Sequence, residues 1–309
     1  MGQPRPSTFS IVARDPETEA VGVAVQSKFI SVGSVVPWAS ADAGAIATQS
    51  YANVAYGPEG LDLLREGHSA DAVVERLTEA DDEAPTRQIG VVGSDGSIAA
   101  FTGEECHEFA GDRQGDQYTV QGNILENEAT VEAMAEAFET TEGGLPEKLL
   151  AALFAGNEAG GDSRGEQSAA MYVAKPDGGY DGGNDRWIDV RVDDHESPIE
   201  ELERVFRLYD VTLLPREDPE TYATLDGAAA KGVTAALAAL GFYEGDASSE
   251  FGDGEREALE EFRGVNNFEN HEVEALEDAL ARGWDDADGT GEQRLVNAIW
   301  QGLSRLDRA

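Results

Sequence analysis

The order of hydrophobic periods along the first two hundred residues leaves few folds open. TFSIVA at 8–13 and a run at 20–26 read as strands around the turn residues Asp15, Pro16, Glu17 and Thr18, which predicts an N-terminal hairpin. Apolar residues persist through 29–38, and AGAIATQ at 43–49 is a further strand of small side chains. Helical spacing then takes over: Leu61, Leu64, Ala72, Val73 and Leu77 stand at helical spacings, and 70–80 continues as an amphipathic helix. QIGVV at 88–92 and SIAAFT at 97–102 flank Gly93, Ser94, Asp95 and Gly96, where Asp-Gly supplies the backbone dihedrals of a tight hairpin. After a strand at 118–122, helices are expected over 130–140 and 145–154. Strands follow at 168–173 and 187–192, and a helix runs from Ser197 and Pro198 to Tyr209. Strands, helices, strands and a helix in that order suit sheets layered between helices better than a parallel βαβ alternation.

The pattern breaks over 210–219 with two prolines and acidic residues, which reads as a linker; beyond it only helices are expected, over 232–240, 255–263, 271–282 and 292–306. A chain of 309 residues accommodates two domains. The expected division is 8–210, a linker at 211–224, and a small all-α domain over 225–309.

Charge narrows the partners. Asp and Glu number 62 against 22 Lys and Arg, a formal charge of -40 spread along the whole chain. Such a surface repels itself in dilute buffer but is tolerable in brine, where screening shortens to about 3 Å at 1 M salt. Salt adaptation is therefore the expected cause, with a charge-specific partner as the other reading. No Lys and Arg cluster is present to release counterions, so nucleic acid and anionic membranes are not expected partners. No run of about 20 apolar residues could span a bilayer, and Met1 to Ser7 lack the progression of a signal peptide; the cytoplasm is the expected location. Cys106 is the only cysteine, which rules out an intrachain disulfide and a CxxC metal site; a small apolar filler is its expected role, a thiol nucleophile the alternative.

Several polar groups could carry chemistry. In GGDSRGEQS at 160–168, Asp162, Arg164 and Gln167 place an acceptor, a cation and an amide beside flexible glycines and Ser168; a loop-holding Asp–Arg pair and a binding site both fit. In DVRVDDH at 189–195, Asp189, Arg191 and Asp193 share a strand face, which an ion-paired edge explains; Asp194 and His195 could bind a cation, but the spacing is not that of a metal site, and no metal is expected. Asn123 closes a strand where it could donate to an oxyanion or simply serve a turn. Gln49, Ser50 and Asn53 end the AGAIATQ strand as another polar group, whereas His68 and His107 show no partner in the sequence.

TFSIVARDPETEAVGVAVQSKF, VVPWASADAGAIATQSYANVAYGPEGLDLL, QIGVV, AAFTG, QGNIL, GGDSRGEQSAAMYV and DVRVDDHESPIEEL, in that order, resemble the family called domain of unknown function 1028, over roughly residues 8–210. The resemblance implies an α+β fold: a four-layer αββα Ntn-hydrolase-like sandwich, here followed by a small all-α domain. It also implies an N-terminal nucleophile that attacks an amide carbonyl while its own α-amine, with a pKa of about 7.7 to 8.0, acts as base. Carried over, the nucleophile is Thr8, with Ser10 a weaker candidate two residues along. Ser27 and Lys28 stand where related folds place assisting residues. Members often begin Met-TFSI, so that loss of Met frees the threonine. Here Met1 to Ser7 precede Thr8, and its activity requires cleavage after Ser7.

ALAALGFYEGDASSEFGDGEREALEEFRGVNN resembles the small three-helix peptidoglycan-binding-like domain, over roughly 225–285. The expected function is a cofactor-free hydrolase of a C–N amide bond, non-peptide or small-peptide. Thr8, Asn123, Asp162 and Arg164 would serve catalysis, and Ser27, Gln49, Asn53, Gln167, Ser168, Arg191 and Asp194 would bind substrate. The alternative is a non-catalytic binding or assembly protein that uses the layered scaffold and the C-terminal module for partner contacts. A homodimer is consistent with the family resemblance.

Overall fold

The structure, a computed structural model, describes residues 8–107 and 109–308. Two compact units divide after Glu203. In the first, β1 (Thr8–Arg14) and β2 (Val21–Ser27) form the expected hairpin, followed by β3 (Pro37–Ser40) and β4 (Gly44–Ser50). Next come α1 (Tyr56–Arg65), α2 (Ala70–Glu79), β5 (Arg87–Gly93), β6 (Ile98–Thr102), β7 (Gly111–Gly115) and β8 (Tyr118–Asn123). The helices α3 (Ala129–Thr140) and α4 (Leu145–Glu158) then precede β9 (Ser168–Ala174) and β10 (Arg186–Val192); α5 (Pro198–Leu213) begins in this unit and its residues from Arg204 onward belong to the second. One antiparallel sheet has the order β10-β9-β2-β1-β8-β7, the other β3-β4-β5-β6.

The sheets face each other through Val12, Val23 and Val25 on one side and Ala45, Ala47 and Val92 on the other. Small side chains in β4 let the two layers close. On the outer face of the four-stranded sheet, Ile46, Ile89 and Val91 pack with Leu61, Val73 and Leu77 of α1 and α2. Phe9 and Met134 close on Gly156 of α4, Leu149 lies against Gly22, and the Tyr118 and Phe138 rings stand 4.9 Å apart, so α3 and α4 cover the larger sheet. The result is the four-layer αββα sandwich, α+β in class. Because both faces of β1, β2 and β4 are covered, these strands are buried along nearly their whole length and lack a clean apolar–polar alternation. β7, by contrast, is the polar edge strand GDRQG, and its sequence carries no hydrophobic period at all.

The second unit holds α6 (Gly227–Leu240), α7 (Asp253–Val265), α8 (Val273–Gly283) and α9 (Gly291–Leu303) around Leu237, Phe262, Phe268, Leu280, Leu295 and Ile299. The chain does not leave the helix at Asp210, where the pattern breaks: α5 continues to Leu213, and Asp210 is buried. Its carboxylate accepts from Trp300 Nε1 and Arg308 Nε, both at 3.1 Å, and pairs with Arg216. An acidic residue that reads as linker composition is thus an internal anchor. Among the described residues no helix is long and apolar enough to cross a membrane.

α8 and α9 approach so closely that a Cβ on Gly302 would lie 2.2 Å from the Ala279 carbonyl oxygen, and one on Gly283 would lie 2.0 Å from that of Ala298. Backbone cannot yield as a flexible side chain can. Gly302→Ala is expected to destabilise the chain by about 3 kcal/mol. Gly264→Ala, where the added methyl meets open space near the end of α7, is expected to gain about 0.5 kcal/mol. Urea unfolding of the two variants tests the contrast, and equal midpoints would refute the close crossing.

Candidate functional site

The contact between the sheets changes character toward the Thr8 end. β1 alternates, so Thr8, Ser10 and Val12 face the second sheet while Phe9 faces α4. Val12 meets other aliphatics; Ser10 meets a polar cluster. Ser10 Oγ donates to Gln49 Oε1 at 2.7 Å and accepts from Gln121 Nε2 at 2.6 Å. Gln49 Nε2 donates to Gln88 Oε1 at 2.8 Å, and Asn123 Nδ2 donates to the same oxygen at 2.9 Å. Gln88 Nε2 in turn reaches the Gly122 carbonyl at 2.8 Å. Amides can donate and accept at once, so these directional bonds tie the two sheets together at this end.

At the edge of this network lies a pocket of about 630 Å³. Thr8 and Gln49 are at its polar end, Val32, Val35, Val36 and Phe29 form an apolar wall, and Lys28, Arg87 and Arg164 contribute cations. Thr8 is 3 % exposed. It heads the central strand β1, paired with Ser27 on one side and Asn123 on the other, and its Oγ1 shares a hydrogen bond of 3.1 Å with Ser27 Oγ. Gln49 Nε2 approaches the Thr8 carbonyl at 3.5 Å. Ser50 closes β4 with a left-handed φ of 69°, which turns Tyr51 and Ala52 along the pocket rim.

The glycine-rich loop after α4 braces one wall. Gly161 adopts φ +57°, and the fully buried Asp162 side chain follows it. Asp162 accepts from the Lys28 main-chain N–H at 2.7 Å and from Arg164 through its main-chain N–H at 2.9 Å, Nε at 3.1 Å and Nη2 at 2.9 Å. Ser163 bonds the Ile124 carbonyl through its N–H and its hydroxyl. Ser168 Oγ donates to the Phe29 carbonyl and accepts from the Val32 N–H at 3.1 Å, which fixes the apolar wall. On the opposite rim Arg87 pairs with Asp81 at 3.0 Å and Glu83 at 2.6 Å. Burial works against ionisation of Asp81, but bonds from Arg87, the Glu83 N–H, Asn53 and Tyr56 outweigh it and hold the carboxyl well below the usual range.

Of the residues singled out in the sequence, Thr8, Lys28, Gln49, Ser50 and Arg164 line the pocket, and Ser27 touches Thr8. Asn123 and Asp162 do not line it: Asn123 is committed to Gln88 behind the strand end, and Asp162 ties the loop to β2. Ser168 acts from behind the wall. Asn53 bonds Asp81 and the Ala55 N–H at the start of α1. Gln167 donates to Asp194 at 3.0 Å in an adjoining pocket shared with Lys28, Glu166 and His195. Arg191 pairs with Asp189 at 3.6 Å on β10, the sheet's edge, which is the ion-paired edge of the simpler reading. Cys106 Sγ donates to the Arg87 carbonyl, and burial pushes its thiol pKa up, which works against the thiolate that a nucleophile needs. The expected cleavage after Ser7 falls on residues outside those described.

Gln88 and Gln121, which the sequence reading passed over, belong to the polar cluster beside the pocket. Gln88 is a lone amide at the start of the apolar QIGVV, and Gln121 stands two residues before Asn123 in TVQGN; those polar residues in buried strands were the available signal. Among the described residues no group of three or more His, Cys, Asp or Glu side chains could hold a metal ion.

Residues 8–202 match the model of a family of unknown function (DUF1028), and residues 212–300 match that of a peptidoglycan binding domain. The chain is similar to the crystal structure of a Silicibacter pomeroyi protein assigned to that first family, with 33 % identity and a TM-score of 0.61 over 66 % of this chain and 89 % of the other. No curated protein matches it.

Proposed function

We propose that this chain, which belongs to the family of unknown function DUF1028, is an N-terminal-nucleophile hydrolase in which the Thr8 hydroxyl cuts a non-peptide or small-peptide C–N amide bond. The observation that carries the reading is the place of Thr8: a nearly buried hydroxyl that lines a pocket, on a central strand, with Ser27 Oγ at 3.1 Å. Ser10 cannot take its part, because its hydroxyl is buried and both donates to Gln49 and accepts from Gln121.

With the residue-8 amine free, Oγ1 attacks the amide carbonyl carbon as its proton passes to that amine, directly or through Ser27. The C–N bond breaks as the departing nitrogen takes the proton, leaving an ester on Thr8. Water then adds to the ester with the amine again as base, releasing the carboxylic acid. Asp162 and Arg164 keep the loop wall in place, and Asn123 and Gln49 hold the strand end to the second sheet. No step needs a cofactor.

The test begins with intact mass and N-terminal sequence of the protein from its native host. A chain beginning at Thr8 supports the reading. A chain keeping Gly2 to Ser7 locks the amine in a peptide bond and transfers the weight to the binding-protein alternative.

The acidic surface fits work in a salt-rich cytoplasm. Raising KCl from about 0.1 M to 2 M should raise Tm by about 5 °C, because repulsion among 62 carboxylates is screened. A Tm that does not change with salt rejects salt adaptation.

A further inference from the structure

The geometry points to an anionic amide as the ligand of the Thr8 pocket, its carboxylate held by Lys28; the amide half of this statement rests on the hydrolase reading, whereas the anion half does not. In the whole chain acidic residues outnumber basic ones, 62 to 22, yet this pocket is lined by three cations, Lys28, Arg87 and Arg164, and one carboxylate, Glu83. A chain with a formal charge of -40 repels anions at long range. Two of these cations carry carboxylate partners, so the positive charge left for a ligand is that of Lys28.

The three cations are not equivalent. Arg87 is met by Asp81 and Glu83, and Arg164 by Asp162. Lys28, one of only four lysines in the sequence, donates its Nζ to the Glu166 main-chain carbonyl at 2.8 Å and forms no ion pair among the described residues. Carboxylates of Glu166, Asp194 and Glu196 line the adjoining pocket on which Lys28 also borders, but its bond goes to a neutral carbonyl. An ammonium has three N–H donors, so a ligand carboxylate can take those that remain.

The position of Lys28 is set rather than incidental. It follows Ser27, the partner of Thr8 Oγ1, and its own main-chain N–H is held by Asp162 at 2.7 Å. The next residue, Phe29, begins the apolar wall, which Ser168 fastens at the Phe29 carbonyl and the Val32 N–H. A cation beside an apolar wall and a hydroxyl selects a molecule with a carboxylate, a hydrocarbon portion and an amide. At high salt long-range attraction is screened away, so discrimination must come from this direct contact.

Two probe pairs test the assignment: N-phenylglutaramic acid against its methyl ester, with the charge on the acyl side, and 4-(pentanoylamino)benzoic acid against its methyl ester, with the charge on the amine side. Binding is read by calorimetry in 0.5 M KCl on the full chain carrying Thr8→Ala, which cannot turn the probes over. In at least one pair the acid should bind about tenfold more tightly than the ester. Adding Lys28→Met should abolish the preference, and adding Lys28→Arg should keep most of it. Equal binding of acid and ester in both pairs, a preference that survives Lys28→Met, or no binding of either acid overturns the anion site. Release of aniline or aminobenzoate by the chain with a free Thr8 amine is a separate readout. A Lys28-dependent preference without release refutes the hydrolase reading and keeps the anion site; release without preference does the reverse.

Discussion

Thr8→Ala is expected to lower kcat for amide hydrolysis by about 10⁴-fold or more in a chain whose residue-8 amine is free. Alanine keeps the amine and removes only Oγ1 and the methyl group, so the base remains and the nucleophile is gone. The structural cost is small by comparison. The lost bond to Ser27 Oγ is worth about 1 kcal/mol, and the strand pairings of residue 8 with Ser27 and Asn123 are made by main chain. A collapse in rate with nearly unchanged unfolding therefore separates chemistry from folding. Thr8→Ser retains hydroxyl and amine and should stay within about tenfold of wild type. Ser27→Ala should lose about tenfold, the value of one hydrogen bond. The unprocessed chain, with the amine in a peptide bond, should be as slow as Thr8→Ala. For the active form kcat/KM should climb as pH rises through about 7.7 to 8.0, where an α-amine loses its proton. A Thr8→Ala enzyme that still hydrolyses the probes described above at the wild-type rate would remove Thr8 from the mechanism.

How far the sequence carried depends on what each residue was opposed to. The hairpins and amphipathic helices were legible because their signals are local: Asp95-Gly96 at a turn, Leu61 and Leu64 on one face of α1, and the small residues of β4. β7 was not, because an exposed polar edge strand is defined by its partner β8 and not by its own residues. The site divides in the same way. Thr8 and Ser27 were paired by the N-terminal hairpin and could be read together, but Arg164 meets Lys28 and Gln49 around one pocket only after the sheets stack. Gln167 and Asp194 looked like pocket residues from composition; the fold turns them to the neighbouring side of Lys28. Asn53 resembled a polar extension of the site but is used by Asp81, a residue 28 positions away. Residues whose partners are distant in sequence carry no sign of which partner they will find.

Asp162→Ala should have the largest effect on stability around the site, about 3 kcal/mol, and should disable the pocket without touching Thr8. The carboxylate has no exposure, and it accepts four hydrogen bonds: three from Arg164 and one from the Lys28 N–H. Arg164 is partly exposed and can turn to water when its acceptor is removed, whereas the Lys28 N–H loses the acceptor that ties the end of β2 to the loop. The end of β2 should then release Lys28 and Phe29 together, and Phe29 and Lys28 are the apolar and cationic sides of the same wall. Asp162→Asn is a sharper test, since it keeps the volume but presents an NH₂ group to donors that need an acceptor. It should lose nearly as much stability as alanine. Arg164→Ala should cost about 1 kcal/mol, because Asp162 still holds the Lys28 N–H, and the double variant should be no worse than Asp162→Ala alone. Unfolding midpoints and binding of the anionic probes, measured on the four variants in 2 M KCl, give the coupling directly. If Asp162→Ala unfolds and binds like wild type, the loop is decoration and the pocket wall has another support. If stability falls while anion binding survives, Asp162 is structural and Lys28 finds its place without it.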